Sequence, residues 1–418
     1  MMSQGIDEQV SQSVYETRVP TVFITGLFQF FAFLLLFISL LYGQQELVLL
    51  ALLVLVMFGG SRLWCWLSLK RVNCRLSSAK ERAFPNEQVA LKAEVANVKF
   101  LPVWLQLKIP VDANLVFASG EHVFTEECSL PWYGRSSWHL ELKALRRGCF
   151  QVGPPVIRTG DLFGFYQRQK SFSDARQIVI YPRLVSLNYL FSPLKELFGK
   201  PGLKSPVIDP VYPVATRDYR DGSPARHIHW KASARQNRLQ EKVFEPSSKR
   251  KIFLIVDVDS FSSSKEENLF ERALEVVAAM AIEFDRERSS YGVLSNGSVV
   301  GEMAAELPVA GGPQQLPAAL EILARLQMNP AQDMKELLMQ NIQPSGSLGC
   351  IYFTAFPDDN FTNTSEIFKH FGIPVLYVLG KSSVLTLPDD KRTCLLEELH
   401  GENLDYTETD RKRILQEG

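Results

Sequence analysis

The sequence predicts a multidomain protein: an N-terminal transmembrane helical hairpin, an all-β sandwich-like module, and a C-terminal α/β domain. Three observations carry this reading. Residues 19–45 hold no charged side chain and a second apolar run follows at once, each run being of about the 20 residues that cross a bilayer core. From about 72 to 190, apolar residues recur at every second position between glycines and prolines, as in strands that bury one face. Beyond Lys249, continuous apolar strands alternate with helical stripes, which argues a doubly wound parallel sheet.

The length of 418 residues suits two or three domains. A formal net charge of −1 gives no global attraction to nucleic acid or anionic lipid, so any charged recognition is local. The six cysteines (Cys65, Cys74, Cys128, Cys149, Cys350 and Cys394) are scattered, without zinc spacing. Such use of thiols as small apolar residues fits a reducing compartment.

Residues 1–18 form a polar N-terminal tail and 19–69 the hairpin. FFAFLLLFISLLYG sits in its first arm, residues 43–46 make a polar turn, and the second arm is interrupted only by Arg62, with Trp64 and Trp66 at its far end. A signal peptide followed by a core helix is the alternative, but the basic leader and the cleavage site are missing. Arg62, Lys70, Arg71, Arg75, Lys80 and Arg82 follow the hairpin while its turn has no basic residue, so the positive-inside rule places both flanks in the cytoplasm.

Residues 70–190 are the β-sandwich-like domain. Val89, Leu91, Ala93 and Val95 alternate with polar or small neighbours, as do Trp138, Leu140 and Leu142, and residues 178–181 form a short buried strand stopped by Pro182. Residues 191–215 are a Pro/Gly-rich linker. The α/β domain, with a signature segment at its start, covers 216–388. Its first strand, 252–256, is apolar throughout. Ser264 and Glu267 read as a capping box before a helix to Glu287 with Leu269, Ala273, Val276, Val277, Met280 and Phe284 on one stripe. Asn296-Gly297 reads as a hairpin turn. Helices at 316–327, 331–340 and 365–371 and strands at 350–356 and 374–379 complete the unit, and 389–418 is a polar tail.

The signature segment, residues 216–245, sets Arg217, Arg220, Arg226, Lys231, Arg235, Arg238 and Lys242 around Tyr219, Gly222, Trp230, Ser233 and Phe244. Three readings are open. In the first, Ile228 and Trp230 plug a core while Arg220, Arg226 and Arg235 pair with Asp218, Asp221 or Glu245. In the second, Arg, Tyr and Trp anchor a protein interface. In the third, ten Lys/Arg against four Asp/Glu in 217–251 neutralise phosphates, although no nucleic-acid motif accompanies them. His227 and His229 share a face if the segment is extended, with no third ligand at readable spacing.

The run R-D-Y-x-x-G-x-x-x-R-x-I-x-W-K-A-S-A-R resembles the signature of the domain-of-unknown-function 58 family, bacterial membrane-anchored proteins with a von Willebrand A-like segment. Arg146-Arg147-Gly148-x-Phe150, Gly153-Pro154-Pro155, residues 161–165 and Tyr181-Pro182-Arg183 resemble its pre-domain. Ser223 and His229 stand where members often carry Asp. The resemblance implies the bacterial inner membrane, and as partners a MoxR-type AAA+ ATPase and a transglutaminase-like membrane protein. It also implies a divalent-ion site of the Asp-x-Ser-x-Ser kind at the end of the first strand. Here Asp257 is kept, Asp259 replaces the first Ser, and Phe261 replaces the second and offers no oxygen, leaving two carboxylates and a degenerate site. No phosphate loop, dinucleotide fingerprint, nucleophile elbow or H-E-x-x-H is present. The expected function is that of an adaptor working with an AAA+ ATPase in assembly or maturation of other proteins, with no cofactor. The alternatives are a hydrolase or transferase using Asp257, Asp259 and Mg²⁺ or another divalent ion, and a membrane-tethered nucleic-acid binder.

Overall fold

The computed structural model describes residues 20–161, 164–187, 213–219, 228–244, 251–301, 304–342, 348–357, 359–381 and 393–403. The chain divides into two compact units. The first comprises Met1–Glu81, Asn86–Leu145 and Phe150–Ile178, and the second Arg82–Pro85, Arg146–Cys149 and Val179–Gly418.

The first unit opens with helix α1 (Pro20–Leu41), a turn at Gly43, and helix α2 (Gln45–Ser68). Among the described residues, α2 is the helix whose length and composition suffice to cross a membrane, and Gly26–Leu41 of α1 is a shorter apolar stretch. Strands follow: β1 (Val72–Ser78), β2 (Arg82–Ala83), β3 (Gln88–Asn97), β4 (Val103–Pro110), β5 (Leu115–Phe117), β6 (Val123–Leu130), β7 (Arg135–Ala144), β8 (Gly148–Val152), β9 (Val156–Gly160), β10 (Gln167–Ser171) and β11 (Arg176–Ile180). Two four-stranded antiparallel sheets, β1-β3-β7-β5 and β10-β9-β4-β6, form the body. The period-2 pattern is visible in burial: Val89, Leu91, Ala93 and Val95 point inward on β3, and Val103, Leu105, Leu107 and Ile109 on β4, as strands with one solvated face require.

The second unit takes β2 and the end of β11, which pair in parallel, and then β12 (Val185–Leu187), β13 (Pro213–Asp218), helix α3 (Trp230–Gln236) and β14 (Gln240–Phe244). Its sheet begins with β15 (Lys251–Val256), followed by α4 (Val258–Ser264), α5 (Glu267–Arg286), β16 (Ser290–Ser295), β17 (Gly297–Val299), β18 (Glu306–Ala310), α6 (Gln315–Arg325), β19 (Leu326–Pro330), α7 (Met334–Asn341), β20 (Leu348–Thr354), α8 (Asp359–Phe371) and β21 (Val375–Leu379). β22 (Thr393–Leu395), α9 (Leu396–Leu399) and β23 (His400–Asn403) close it. The strand order is β18-β16-β15-β20-β21-β22, parallel except for the antiparallel edge strand β18. Because β15 is central, both its faces are covered. Ile252, Leu254 and Val256 join the α5 and α6 core, while Phe253 and Ile255 join a second core with Met334, Leu337, Phe361 and Phe368.

Several sequence expectations are corrected. Ser264 starts no capping box: it ends α4, its hydroxyl donating to Phe261 O at 2.6 Å. Asn296-Gly297 is no hairpin turn, since β16 pairs with β15 and β18 while β17 pairs with β19. Pro213–Asp218, partly inside the expected linker, is a strand. Within the expected polar tail, β22 extends the sheet and His400 Nε2 lies 2.8 Å from Glu275 Oε2 of α5.

The Arg146-Arg147-Gly148 motif proves structural in the second unit. Arg147, 7% exposed, grips Glu271 through Nε and Nη2 at 2.8 and 2.9 Å. Its Nη1 donates to the carbonyls of Leu323 and Leu326, both at 2.8 Å, satisfying the end of α6. Its guanidinium lies 5.3 Å from the Phe270 ring centroid. Arg147→Ala would strand Glu271 and these carbonyls, so urea unfolding is expected to show a loss of about 3 kcal/mol. Arg147→Lys should recover less than half of it, because an ammonium cannot reproduce the planar fork.

Candidate functional site

Two places hold the residues singled out above: the signature helix and the carboxyl edge of the sheet. β13 and β14 form an antiparallel pair that sets Arg217 opposite Glu241 and Asp218 opposite Gln240. α3 lies between them in sequence and is fastened to β14. His229 caps it, Nδ1 accepting from Ala232 N at 3.1 Å. His229 N donates to Gln240 O at 2.8 Å. The buried Ser233 hydroxyl accepts from Gln240 N at 2.8 Å and donates to His229 O at 3.1 Å. Asn237 takes the left-handed conformation that ends the helix.

Ile228 is buried, as the core-plug reading expects, but Trp230 is 69% exposed. Fixing α3 through His229 and Ser233 turns the indole outward. Lys231, Arg235 and Arg238 are exposed beside it in sequence. Asp218 pairs with Arg238 at 3.2 Å and accepts from Gln240 Nε2 at 2.5 Å. Tyr219 is half-buried and its N–H donates to Leu239 O at 2.9 Å. Arg220, Asp221, Gly222, Arg226, His227 and Glu245 lie outside the described residues, so the histidine pair and the ion pairs expected of them do too.

At the sheet edge the order reverses on either side of β15, which is where open α/β sheets bind ligands. Asp257 follows β15 and is fully buried. Its Oδ2 accepts from Tyr352 OH at 2.7 Å and its Oδ1 from Asn296 Nδ2 at 3.2 Å. Asn296 Oδ1 in turn accepts from Val258 N at 2.7 Å. The buried Ser260 hydroxyl donates to Asp257 O at 3.0 Å and accepts from Ala355 N at 2.9 Å. Gly297 is demanded by closeness: a Cβ there would meet Val258 Cγ2 at 2.7 Å. Asp259 sits half-buried in the first turn of α4, where a carboxylate complements the helix dipole. Phe261 enters the core beside Phe270, ring centroids 5.6 Å apart. Among the described residues no group of three or more His, Cys, Asp and Glu is placed to hold a metal. Asn296, Ser260 and Tyr352 were not foreseen; an Asn directly after an apolar strand was the available signal.

Residues 215–343 match the model of a family described as "Protein of unknown function DUF58". This is the family that the signature run resembles, and the match covers that run, β15, Asp257 and Asn296. The uncharacterized protein YeaD of Bacillus subtilis is 28% identical over 197 residues, covering 46% of this chain and 47% of YeaD. The match thus spans about half the length of that curated relative. Among solved structures, the CARDB domain of the PF1109 protein from Pyrococcus furiosus is similar at 9% identity and TM-score 0.20, covering 26% of this chain and 91% of that one. The cupredoxin domain of amoB from Nitrosocaldus yellowstonii is similar at 13% identity and TM-score 0.19, covering 27% and 89%.

Removing the Asp257 carboxylate leaves a buried amide and a buried phenol without their acceptor. Asp257→Ala is therefore expected to lower stability by about 2–4 kcal/mol in urea unfolding. Millimolar Mg²⁺ should leave the melting temperature of the unmodified protein unchanged. A rise that vanishes in Asp257→Ala would instead restore the metal reading, because an ion bound only to the folded state stabilises it by RT ln(1 + [L]/Kd).

Proposed function

We propose that this chain, which carries a DUF58 segment over residues 215–343, is a membrane-anchored adaptor that presents its signature helix to a protein partner. The observation that carries this reading is the exposure of Trp230 on a helix whose other side is fastened by His229, Ser233 and Gln240. A rigidly held, solvent-facing Trp flanked by Lys231, Arg235 and Arg238 has the residue types that dominate interface energetics. Holding it in water is otherwise unrewarded. The basic excess of 217–251 favours an acidic face on the partner. The partner class implied by the family resemblance is a MoxR-type AAA+ ATPase, with a transglutaminase-like membrane protein as a second candidate.

The anchor in this reading is the pair α1 and α2, crossing the bacterial inner membrane as a hairpin. Support comes from the exposed Phe28, Phe30, Phe33 and Phe37 of α1 and Leu49, Leu52, Leu53 and Val56 of α2, side chains that suit lipid. The basic residues after α2 put the two units in the cytoplasm. The α/β unit is read as von Willebrand A-like, with Asp257 at the carboxyl end of its central strand. Docking is favoured over metal-dependent hydrolysis or transfer because both Asp257 oxygens already hold Asn296 and Tyr352.

The test is binding of the full chain, in nanodiscs, to a purified MoxR-type ATPase. Trp230→Ala and Arg235→Glu are each expected to weaken binding at least about tenfold, roughly 1.4 kcal/mol, with an unchanged unfolding midpoint. Full affinity in Trp230→Ala would refute the docking role.

A further inference from the structure

The strand registers place three loops at one end of the first unit, the end at which α2 enters it. Val72, opening β1, lies opposite Asn97, which closes β3. Ala96 lies opposite Arg135, Val103 opposite Leu130, Leu105 opposite Thr159, and Gly160 opposite Gln167. The loops 98–102 and 131–134, and residues 161 and 164–166 of the loop after β9, therefore share that end, and the ends near Gln88, Lys143, Pro110 and Val123 point away from it.

These loops are bonded to the helix terminus. Val98 N donates to Arg71 O at 3.0 Å, and Tyr133 N donates to Lys99 O at 3.1 Å. Lys99 Nζ donates to Leu67 O at 2.6 Å, to Lys70 O at 2.8 Å and to Ser68 O, caging the last carbonyls of α2. Burial, with Lys170 nearby as a lesser cause, lowers the Lys99 pKa to about 8. The Asn97 side-chain amide donates to Leu101 O at 2.8 Å and Pro131 O at 3.0 Å, tying two of the loops together. Gly134 closes the tight turn, where a Cβ would lie 2.7 Å from Pro131 Cδ.

This bracing holds large aromatic rings in the open. Phe100 and Trp132 stack with centroids 5.6 Å apart and planes 13° from parallel, yet they are 73% and 60% exposed. Tyr133 is 65% exposed, and Val98 and Trp104 are exposed at the same end. Phe165, on the third loop, packs against Phe58 of α2 at 4.7 Å. An exposed aromatic cluster held in place by its own backbone bonds marks a contact surface.

We propose that Phe100, Trp132 and Tyr133 are a second membrane contact, lying at the headgroup–acyl boundary of the bilayer that α2 crosses. The proposal rests on the reading of α2 as a membrane span. Lipid is the occupant because the cluster is continuous with the last turn of that span, where Trp66 carries the Lys70 ammonium 3.1 Å from its ring centroid. Trp and Tyr beside a cation are the side chains that settle at a membrane interface. A single helix end lets the unit it carries swivel, and a second contact through separate loops removes that freedom.

The test compares the full chain with Trp132→Phe, both reconstituted in vesicles of phosphatidylcholine and phosphatidylglycerol. The emission lost in the variant is the signal of Trp132. It should lose its larger part when the lipids are brominated near the head of their acyl chains, and be spared by aqueous iodide. Phe preserves the apolar ring, so the unfolding midpoint should not move. If the chain resists carbonate extraction while that emission is quenched by iodide and not by brominated lipid, the aromatic contact is wrong and the span stands. If carbonate strips the chain from the vesicles, the span reading fails and the proposal falls with it.

Discussion

A carboxylate shut away from water must be satisfied by its neighbours or it destabilises the fold. Asp257 meets that demand with donors from the two strands on either side of its own: Tyr352 belongs to β20 and Asn296 follows β16. One buried side chain thus ties the carboxyl ends of three adjacent strands. Asn296 passes the constraint on, receiving Val258 N at the start of α4 and offering its own carbonyl to Ala331 N at 2.8 Å. At this point, where an open α/β sheet usually leaves a crevice for a ligand, the side chain of Asp257 bonds those of Asn296 and Tyr352.

The remaining charged motifs divide by burial. Arg147 is spent on Glu271 and the carbonyls that end α6, a planar fork matched to a carboxylate and a helix terminus at once. Around α3 the opposite holds: the polar side chains that face inward, Ser233 and Gln240, fix the helix, and the aromatic and basic ones face out. Similar residue types are therefore buried and bonded in one place and exposed to solvent in the other. The difference is burial: Arg147 meets Glu271 and the α6 carbonyls away from water, whereas Arg238 meets Asp218 at the surface.

In the first unit the same economy places Lys99. Its ammonium caps α2 and holds the 98–102 loop against the helix end, which leaves Phe100 and its stacked partner Trp132 without cover.

Periodicity was legible. Val89, Leu91, Ala93 and Val95 declare a strand with one wet face, residues 252–256 a strand with none, and Leu269 to Phe284 a helix with one dry stripe, because each pattern follows from backbone geometry alone. The apolar lengths of α1 and α2 were legible for the same reason. What failed were inferences about partners. Asn296-Gly297 has hairpin composition, but Gly is there to let Val258 approach and Asn to serve a distant Asp. Of the readings open for Trp230, the core plug is the one set aside, because His229 and Ser233 turn the ring outward. Residues 393–395 and 400–403 are too short to advertise strands, and they become strands by pairing with β21 and β12 respectively. The sequence by itself determined the long periodic strands and helices and the apolar runs, since those patterns depend on neighbours along the chain. Only the tertiary structure decided which charges are buried and which aromatics are exposed, since burial depends on side chains brought together from far apart in the chain.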